Sequence, residues 1–242
     1  MKETIVLVHG YGFDKRIWLP VELAFNNFNV ILLSLPGFGD RVVEEPYSIN
    51  ALAQRFWLDL AFLNDSRIHL IGHSMGGYVC MEMVAQRPEF VASLALIHSH
   101  VFEDTEEKRA GRYRTVEAIK KNGREEFARQ IIPSFLGDSE KEKRIVEKLI
   151  DRGVSYNDFA WSFGMEAMAH RVDHAETLRH MDIPFLMIMG EKDEAVPVEL
   201  AYRQASISGR CELIVYPDSR HLAMYDNTTQ MIADLISFYD KD

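Results

Sequence analysis

The segment that decides the fold spans residues 68–77 and reads IHLIGHSMGG. An apolar run is followed by the pattern Gly-x-Ser-x-Gly and then by a helix-like run at residues 78–86. Strand, sharp turn and helix in this order are typical of a nucleophile elbow, in which a strained turn presents a serine above a sheet edge. Gly72 and Gly76 suit such a turn because they lack a Cβ atom. The pattern makes Ser74 a candidate nucleophile, and a tight structural turn is the alternative.

Composition narrows the class of protein. The chain has 242 residues, of which 47% are hydrophobic and 26% charged, and this fits one α/β domain, alone or with an insertion. The net charge of −10 is spread along the chain and argues against nucleic acid and anionic membranes as partners. No apolar run approaches the roughly 18 residues of a membrane span, and residues 1–5 lack the features of a signal peptide. Cys80 and Cys211 suggest no disulfide framework. We therefore expect a cytoplasmic protein.

Continuous apolar runs predict strands that are buried on both faces, as in a parallel sheet. Besides the strand that leads into the elbow, the predicted strands span residues 4–8, 29–33, 92–97, 185–189 and 212–216. Helical patterns alternate with them, which implies βαβ crossovers. The sequence therefore predicts an α/β fold with a mostly parallel sheet of about six strands and helices on both faces.

Residues 102–181 break this alternation. They show no strand pattern and predict four or five helices, three of them amphipathic. An all-helical insertion between two parallel strands is best explained as a cap over the carboxyl ends of the strands, where α/β sheets bind ligands. Surface decoration is the alternative. We expect a core formed by residues 1–101 and 182–242 and a cap formed by residues 102–181.

Four motifs in chain order carry a resemblance to the α/β-hydrolase superfamily, in its cap-bearing serine esterase and lactonase branch. They are HGYG at 9–12, GHSMGG at 72–77, GEKD at 190–193 with the VP pair at 196–197, and His221. The resemblance covers essentially the whole chain outside the cap. It implies the α/β-hydrolase fold, here without the usual N-terminal hairpin because the chain begins at what would be the third strand.

The family order of nucleophile, acid and histidine implies the triad Ser74, Asp193 and His221. His221 would accept the serine proton during attack, and Asp193 would fix the imidazole tautomer and stabilise the imidazolium. The backbone N–H groups of Tyr11 and Met75 would form the oxyanion hole, and no cofactor or metal is required.

Several residues compete for these roles. Glu191 and Glu194 flank Asp193, and Asp218 lies close to His221 in sequence. The chain has nine histidines. Among them, His9 resembles the family's structural histidine, and His73 is expected to point into the packing between sheet and helix.

Two pairs of histidines have spacings that could bind a metal. They are His98 with His100, and His170 with His174. Neither pair has a clear carboxylate or cysteine set nearby, so we expect solvated or hydrogen-bonded side chains.

The substrate pocket is the least defined feature of the sequence. The phenol of Tyr11 is a candidate contact, and His98 and His100 follow the fourth strand near the expected pocket mouth. The aromatic and methionine side chains of residues 159–168 favour a packed face, which is either core or pocket roof. The candidate substrate-binding residues are Tyr11, His100, Trp161, Phe163 and Met168.

Three functions are compatible with these motifs. The first is hydrolysis of a small carboxylic ester, thioester or lactone through an acyl-Ser74 intermediate; a serine at this position argues against the carboxylate-nucleophile reactions of related dehalogenases and epoxide hydrolases. The second is carbon–carbon bond hydrolysis of a dienone-type substrate by the same triad. The third is a non-catalytic receptor for a small ligand, whose signature would be negligible turnover and an exposed apolar patch on the cap.

Overall fold

The computed structural model describes residues 2–64 and 66–240. Within them, six strands form one parallel sheet in the order β2-β1-β3-β4-β5-β6. The strands are β1 (Thr4–Val8), β2 (Asn29–Leu33), β3 (Ile68–His73), β4 (Val91–Ile97), β5 (Phe185–Gly190) and β6 (Cys211–Tyr216). Helices flank the sheet, as predicted for the α/β class.

The helices fall into three groups along the chain. Those before β4 are α1 (Ile49–Asp59) and α2 (Met75–Gln86). Those between β4 and β5 are α3 (Glu106–Asn122), α4 (Arg124–Ile131), α5 (Glu140–Gly153), α6 (Asp158–Ala169) and α7 (Ala175–His180). Those after β5 are α8 (Val198–Ile207), α9 (Ala223–Asp226) and α10 (Thr228–Tyr239). In the described part of the chain, no helix combines the length and the apolar content needed to cross a membrane.

The helical segment that follows β1 is not an α-helix. Lys15–Phe25 is a 3₁₀-helix, and its first turn is capped by the Asp14 side chain, which accepts a hydrogen bond from the Arg16 N–H. Pro20 lies inside this segment and has no N–H to donate. Shorter 3₁₀ segments are Ala61–Leu63, Pro88–Phe90 and Ile132–Phe135.

The hydrophobic core explains why the strands lack polar alternation. All five residues of β1 and all six of β5 are buried, because helices cover both faces of the central strands. The edge strands β2 and β6 are mostly half-buried. Since the strands are parallel, the loops that follow them meet at one edge of the sheet.

The segment with α3 to α7 packs onto this same edge. The Tyr11 hydroxyl, in the loop after β1, donates a hydrogen bond of 2.6 Å to the backbone oxygen of Trp161 in α6. The backbone N–H of His221 donates to the carbonyl of Phe135, at 3.1 Å. The helices between β4 and β5 are thus attached directly to the loops where the candidate functional residues lie.

Candidate active site

The sequence between β3 and α2 forms a strained elbow. Ser74 has a φ of 51° and a ψ of −119°, a combination that residues other than glycine rarely adopt. The turn is possible because its neighbours are small: a Cβ atom on Gly76 would lie 2.3 Å from the carbonyl oxygen of Val8. The strained turn places Ser74 at the N-terminus of α2, at the carboxyl edge of the sheet.

The structure brings Ser74, His221 and Asp193 together, although they lie far apart in sequence. The Nε2 atom of His221 lies 3.0 Å from the Oγ of Ser74, and its Nδ1 atom lies 2.7 Å from Oδ2 of Asp193. A carboxylate can only accept, so the Nδ1–H donates to Asp193 and Nε2 is left to accept from the serine hydroxyl. His221 and Asp193 are buried, and Ser74 is half-buried. This is the geometry that general-base activation of a serine requires.

Asp193 is held by hydrogen bonds on both carboxylate oxygens. Oδ1 accepts from the backbone N–H groups of Ala195 and Val196, at 2.9 Å and 3.0 Å, and Oδ2 accepts from His221 and from Nδ1 of His98. Burial by itself opposes ionisation, but the charge and hydrogen bond of His221 and the hydrogen bond of His98 outweigh it. Together they hold the pKa of Asp193 well below its usual range. Asp193 therefore stays ionised, and its carboxylate can accept the hydrogen bond from His221.

His98 is a neighbour of Asp193 that the sequence did not predict. The sequence placed His98 near the pocket mouth, whereas its side chain is fully buried 3.0 Å from Oδ2 of Asp193. Its Nε2 atom accepts from the N–H of Ala223 at 3.2 Å, so its Nδ1 carries the proton and donates to the carboxylate. Burial lowers the pKa of His98 and so favours the neutral ring. One sequence signal could have predicted this contact: His98 directly follows β4, and β4 lies beside β5, the strand that precedes Asp193.

Two further buried histidines brace the loops around the site. The Nε2–H of His73 donates to the backbone oxygen of His221 at 2.9 Å, which fixes the loop that carries the candidate base. His9 donates to the carbonyl of Gly10 and accepts from the N–H of Leu35, at 2.8 Å and 2.9 Å. Burial lowers the pKa of His9 to about 4 and places that of His73 well below its ordinary value. Both rings are neutral, and both hold backbone groups of the loops around the site.

The candidate oxyanion hole is formed by two loops in close contact. Met75 is the first residue of α2, where backbone N–H groups have no partner within the helix. A Cβ atom on Gly10 would lie 3.0 Å from Cβ of Ser74, so the loop that carries the Tyr11 amide packs against the elbow. Among the described residues, neither the Tyr11 nor the Met75 N–H donates to another protein group. Both are therefore free to stabilise an oxyanion.

The predicted substrate contacts of Tyr11 and Trp161 take a different form in the structure. The Tyr11 hydroxyl is engaged by the Trp161 carbonyl, and the two rings pack edge to face, with centroids 5.1 Å apart. Trp161 is fully buried, against Gly12 and Phe38. These contacts make Trp161 part of the core between α6 and the loop after β1, and they leave the Tyr11 phenol no free hydrogen to donate to a substrate.

His100 also has protein partners. Its Nδ1 accepts from the N–H of Phe102 at 3.2 Å, and its Nε2 lies 3.3 Å from the hydroxyl of Tyr78. The ring is 3% exposed. We therefore assign His100 to the packing of the loop after β4 instead of to substrate contact.

Phe163 and Met168 occupy different sides of α6. Phe163 is half-buried and stacks on Phe159, with ring centroids 5.8 Å apart. Met168 is buried, and its Sδ atom lies 3.4 Å from Nη1 of Arg112 in α3. Phe163 and Met168 therefore contact different groups.

The competing acids are separated from the histidine. Glu191, Glu194 and Asp218 are exposed, whereas Asp193 is buried. Asp218 pairs with Lys192 at 2.5 Å, and its side chain is 87% exposed. None of these three carboxylates has His221 as a partner in the described structure, so the geometry favours Asp193.

The histidine pairs that might have bound metal do not converge. His170 bonds to the Tyr113 hydroxyl at 2.9 Å, while His174 bonds to Glu82 at 2.9 Å. His98 and His100 also have different partners, as described above.

One set of potential metal ligands does converge within residues 2–64 and 66–240. It consists of His98, Asp193 and His221, whose donor atoms lie within 4.8 Å of one another. Both imidazole Nδ1 atoms already direct their protons at the Asp193 carboxylate. A metal would have to displace both protons, so this set fits an ionised carboxylate that orients two imidazole rings better than it fits a metal centre.

Comparisons with known proteins identify the family of this fold. A family model described as the alpha/beta hydrolase family matches residues 5–235. The chain is 24% identical over 250 residues to the biotin biosynthesis bifunctional protein BioHC of Cellvibrio japonicus; the match covers 99% of the chain and 48% of that protein, so the chain spans about half of this relative. It is 24% identical over 259 residues to monoacylglycerol lipase abhd6-A of Xenopus laevis, covering 98% of the chain and 76% of that protein.

A solved structure gives the same result for the whole fold. A thermophilic esterase from Thermogutta terrifontis matches with a TM-score of 0.91 and 25% identity, over 99% of this chain and 90% of that one. The family match extends from β1 into α10 and includes the elbow. The chain therefore belongs to the alpha/beta hydrolase family.

Proposed function

We propose that this protein is a serine hydrolase that cleaves a small carboxylic ester, thioester or lactone. The observation that carries the proposal is the continuous contact from the Ser74 hydroxyl through His221 to Asp193, with distances of 3.0 Å and 2.7 Å. An ordinary serine hydroxyl is a weak nucleophile, and a neutral imidazole at this distance is positioned to remove its proton.

The proposed reaction has two halves. Ser74 Oγ attacks the carbonyl carbon while Nε2 of His221 takes its proton, and the N–H groups of Tyr11 and Met75 stabilise the oxyanion. The intermediate then expels the alcohol or thiol, which takes the proton from His221, and leaves an acyl-Ser74 ester. In the second half, His221 removes a proton from water, the resulting hydroxide attacks the acyl group, and the acid leaves as Ser74 recovers its proton.

We also propose that residues 102–181 act as a cap on a core formed by residues 1–101 and 182–242, of which residues 1, 65, 241 and 242 lie outside the described structure. Two contacts support this division. The segment touches the candidate base through the Phe135 carbonyl, and the rings of Phe135 and His221 lie 5.0 Å apart. It also touches the oxyanion loop through Trp161 and Tyr11. A cap in this position would limit the access of bulk solvent to the site, while admitting the attacking water, and would select substrates.

The decisive experiment combines a probe with one variant. A serine-reactive fluorophosphonate should label the peptide that contains Ser74, as located by mass spectrometry. Ser74→Ala should abolish this labelling and lower p-nitrophenyl acetate hydrolysis at least about a thousandfold, because the nucleophile is lost. Its thermal unfolding temperature should stay close to that of the wild type. Undiminished hydrolysis in Ser74→Ala would refute the assignment.

Two alternative functions would use this same site, and the substrates that are turned over distinguish them. A carbon–carbon hydrolase would cleave a dienone-type substrate with the same triad and would show low turnover across a panel of simple esters of increasing acyl length. A receptor would bind a small ligand with negligible turnover of any substrate.

A further inference from the structure

A group of charged side chains lies on the segment between β4 and β5, outside the triad. We call it the cap charge cluster, and it consists of Asp104, Lys108, Arg112 and Arg171. Lys108 and Arg112 lie on one face of α3 and line an open cavity of about 490 Å³. Met165 of α6 lines the same cavity, and so do Glu107 and Arg114, which are exposed and carry opposite charges.

The charges of the cluster do not balance. The Asp104 carboxylate has no exposed side-chain surface and pairs with two guanidinium groups: Nη2 of Arg171 lies 2.8 Å from Oδ1, and Nε of Arg112 contacts Oδ2. Lys108 adds a third positive charge, and its Nζ donates to a neutral acceptor, the backbone oxygen of Ala195, at 3.0 Å. Three positive charges and one negative charge leave a net +2 (3 − 1) in the cluster.

This excess is partly withdrawn from water. Arg112 and Arg171 have side chains that are 12% and 3% exposed. Burial lowers the pKa of Lys108, and the neighbouring Arg112 adds to the shift. Like charges held together with little solvent are unfavourable unless an anion compensates them. The cavity is open to solvent and presents Lys108 and Arg112, so an anion can reach them.

The cluster adjoins the candidate active site through two sets of contacts. Lys108 binds the carbonyl of Ala195, and the N–H of the same Ala195 holds Asp193. Arg112 contacts Met168 in α6, one turn after Gly164. A Cβ atom on Gly164 would lie 2.6 Å from the Tyr11 ring, so this part of α6 covers the loop of the oxyanion hole.

We propose that the cavity is a subsite for an anionic group of the substrate, either a carboxylate or a phosphate. This proposal rests on the proposed serine hydrolase function and adds a substrate class to it. The anion of an ester or thioester binds between Lys108 and Arg112, while its acyl carbonyl reaches Ser74. A guanidinium and an ammonium group together suit both kinds of anion.

Two matched substrate pairs test the proposal and distinguish the two anions. The first pair is the mono-p-nitrophenyl ester of glutaric acid and p-nitrophenyl pentanoate, which differ in a terminal carboxylate. The second pair is S-acetyl-4′-phosphopantetheine and S-acetylpantetheine, which differ in a phosphate. In at least one pair, the wild type should show a kcat/KM for the charged member that is at least about tenfold higher than that for the neutral member. A tenfold ratio is the effect of one hydrogen bond between charged groups. Equal values within both pairs would overturn the proposal.

Variants of α3 connect the preference to the cluster. Lys108→Met should reduce the ratio of charged to neutral kcat/KM about tenfold, and Lys108→Arg should retain most of it because the positive charge remains. The matched control is Lys120→Met on the same helix, where the lysine is exposed and pairs with Glu117; its ratio should equal that of the wild type. A ratio that Lys108→Met leaves unchanged would contradict the proposal. Arg112 is less suitable for this test because its loss would leave Asp104 short of a buried partner and could unfold the protein.

A binding measurement keeps the subsite separate from the reaction. Calorimetry should show that glutarate or inorganic phosphate binds the wild type and that Lys108→Met weakens this binding about tenfold. The uncharged control, glutaramide, should bind neither the wild type nor the variant. If Ser74 resists the fluorophosphonate and no ester turns over, the hydrolase function fails, yet the binding result still decides the subsite. If esters turn over but neither anion binds and no pair shows a preference, the subsite alone is refuted.

Discussion

Replacement of Asp193 by asparagine provides the sharpest test of the proposed relay, which runs from Ser74 through His221 to Asp193. In the described structure, each oxygen of this carboxylate accepts two N–H groups: the amides of Ala195 and Val196 on one side, and the imidazoles of His98 and His221 on the other. Asparagine offers one oxygen and one NH₂ group. In either orientation, the NH₂ group therefore meets two donors.

The two orientations differ in whether the groups that face the NH₂ group can become hydrogen-bond acceptors. Backbone amides cannot become acceptors, whereas an imidazole can move its proton to the other nitrogen. We therefore expect the asparagine oxygen to face Ala195 and Val196 and the NH₂ group to face the rings. His221 then carries its proton on Nε2, which points at Ser74, and cannot accept the serine proton.

The size of the effect follows from this change of tautomer. The same change in a serine protease lowers kcat about 10⁴-fold, and we expect about 10³- to 10⁴-fold here. The loss of hydrogen bonds to a charged acceptor should also lower the free energy of unfolding by about 2 kcal/mol. KM should change little, because the carboxylate lies behind His221 and does not meet the substrate.

The assay is steady-state hydrolysis of p-nitrophenyl acetate by the wild type, Asp193→Asn and the control Asp218→Asn, with urea unfolding of each. Asp218 lies on the neighbouring loop, but its side chain is 87% exposed and its ion pair is with Lys192, so the control should keep wild-type kinetics. A loss smaller than about tenfold in Asp193→Asn would refute the reasoning. It would indicate that Glu191 or Glu194 orients His221.

Three further perturbations test other parts of the structure. His98→Phe removes one donor from the buried carboxylate while filling the space, and kcat for p-nitrophenyl acetate should fall about tenfold with a smaller change in KM; an unchanged kcat would show that this histidine does not position the acid. Gly76→Ala places a Cβ atom 2.3 Å from the Val8 oxygen and should lower the free energy of unfolding by about 2 kcal/mol in urea titrations, whereas Gly209→Ala, with nothing within 4 Å, should change it little. His9 has a pKa of about 4 in the folded state and of 6.5 in the unfolded state, so the unfolded state binds the extra proton between these values. The free energy of unfolding should therefore fall as the pH drops from about 6.5 to about 4. Urea titrations across this range should show the decline, and a flat profile would contradict the burial of a neutral ring.

The strands and the elbow were predictable because their signals are local. Each strand from β1 to β6 is a short, mainly apolar run, and the observed bounds differ from the predicted ones by at most about two residues. The convergence of Ser74, Asp193 and His221 follows from the same information. Each of them lies just beyond the end of a strand, and a parallel sheet gathers those ends at one edge.

The surroundings of the relay were less predictable because they depend on pairs that are distant in sequence. His98 and Asp193 are 95 positions apart, and no local pattern identifies them as partners. The same holds for Trp161, which sequence alone could place in a core or in a pocket. Its location depends on how closely Gly12 and Tyr11 allow α6 to approach, which only the packed structure reveals.

The net charge of the chain illustrates the same limitation. A total of −10 argues against extended anionic partners, because these meet the field of the whole surface. A small anion inside a cavity meets mainly the charges within about 10 Å, since salt screens the more distant ones at physiological ionic strength. Near α3, those charges include Lys108, Arg112 and Arg171 against Asp104. An acidic protein can therefore favour an acidic substrate, because the local arrangement of charges outweighs their sum.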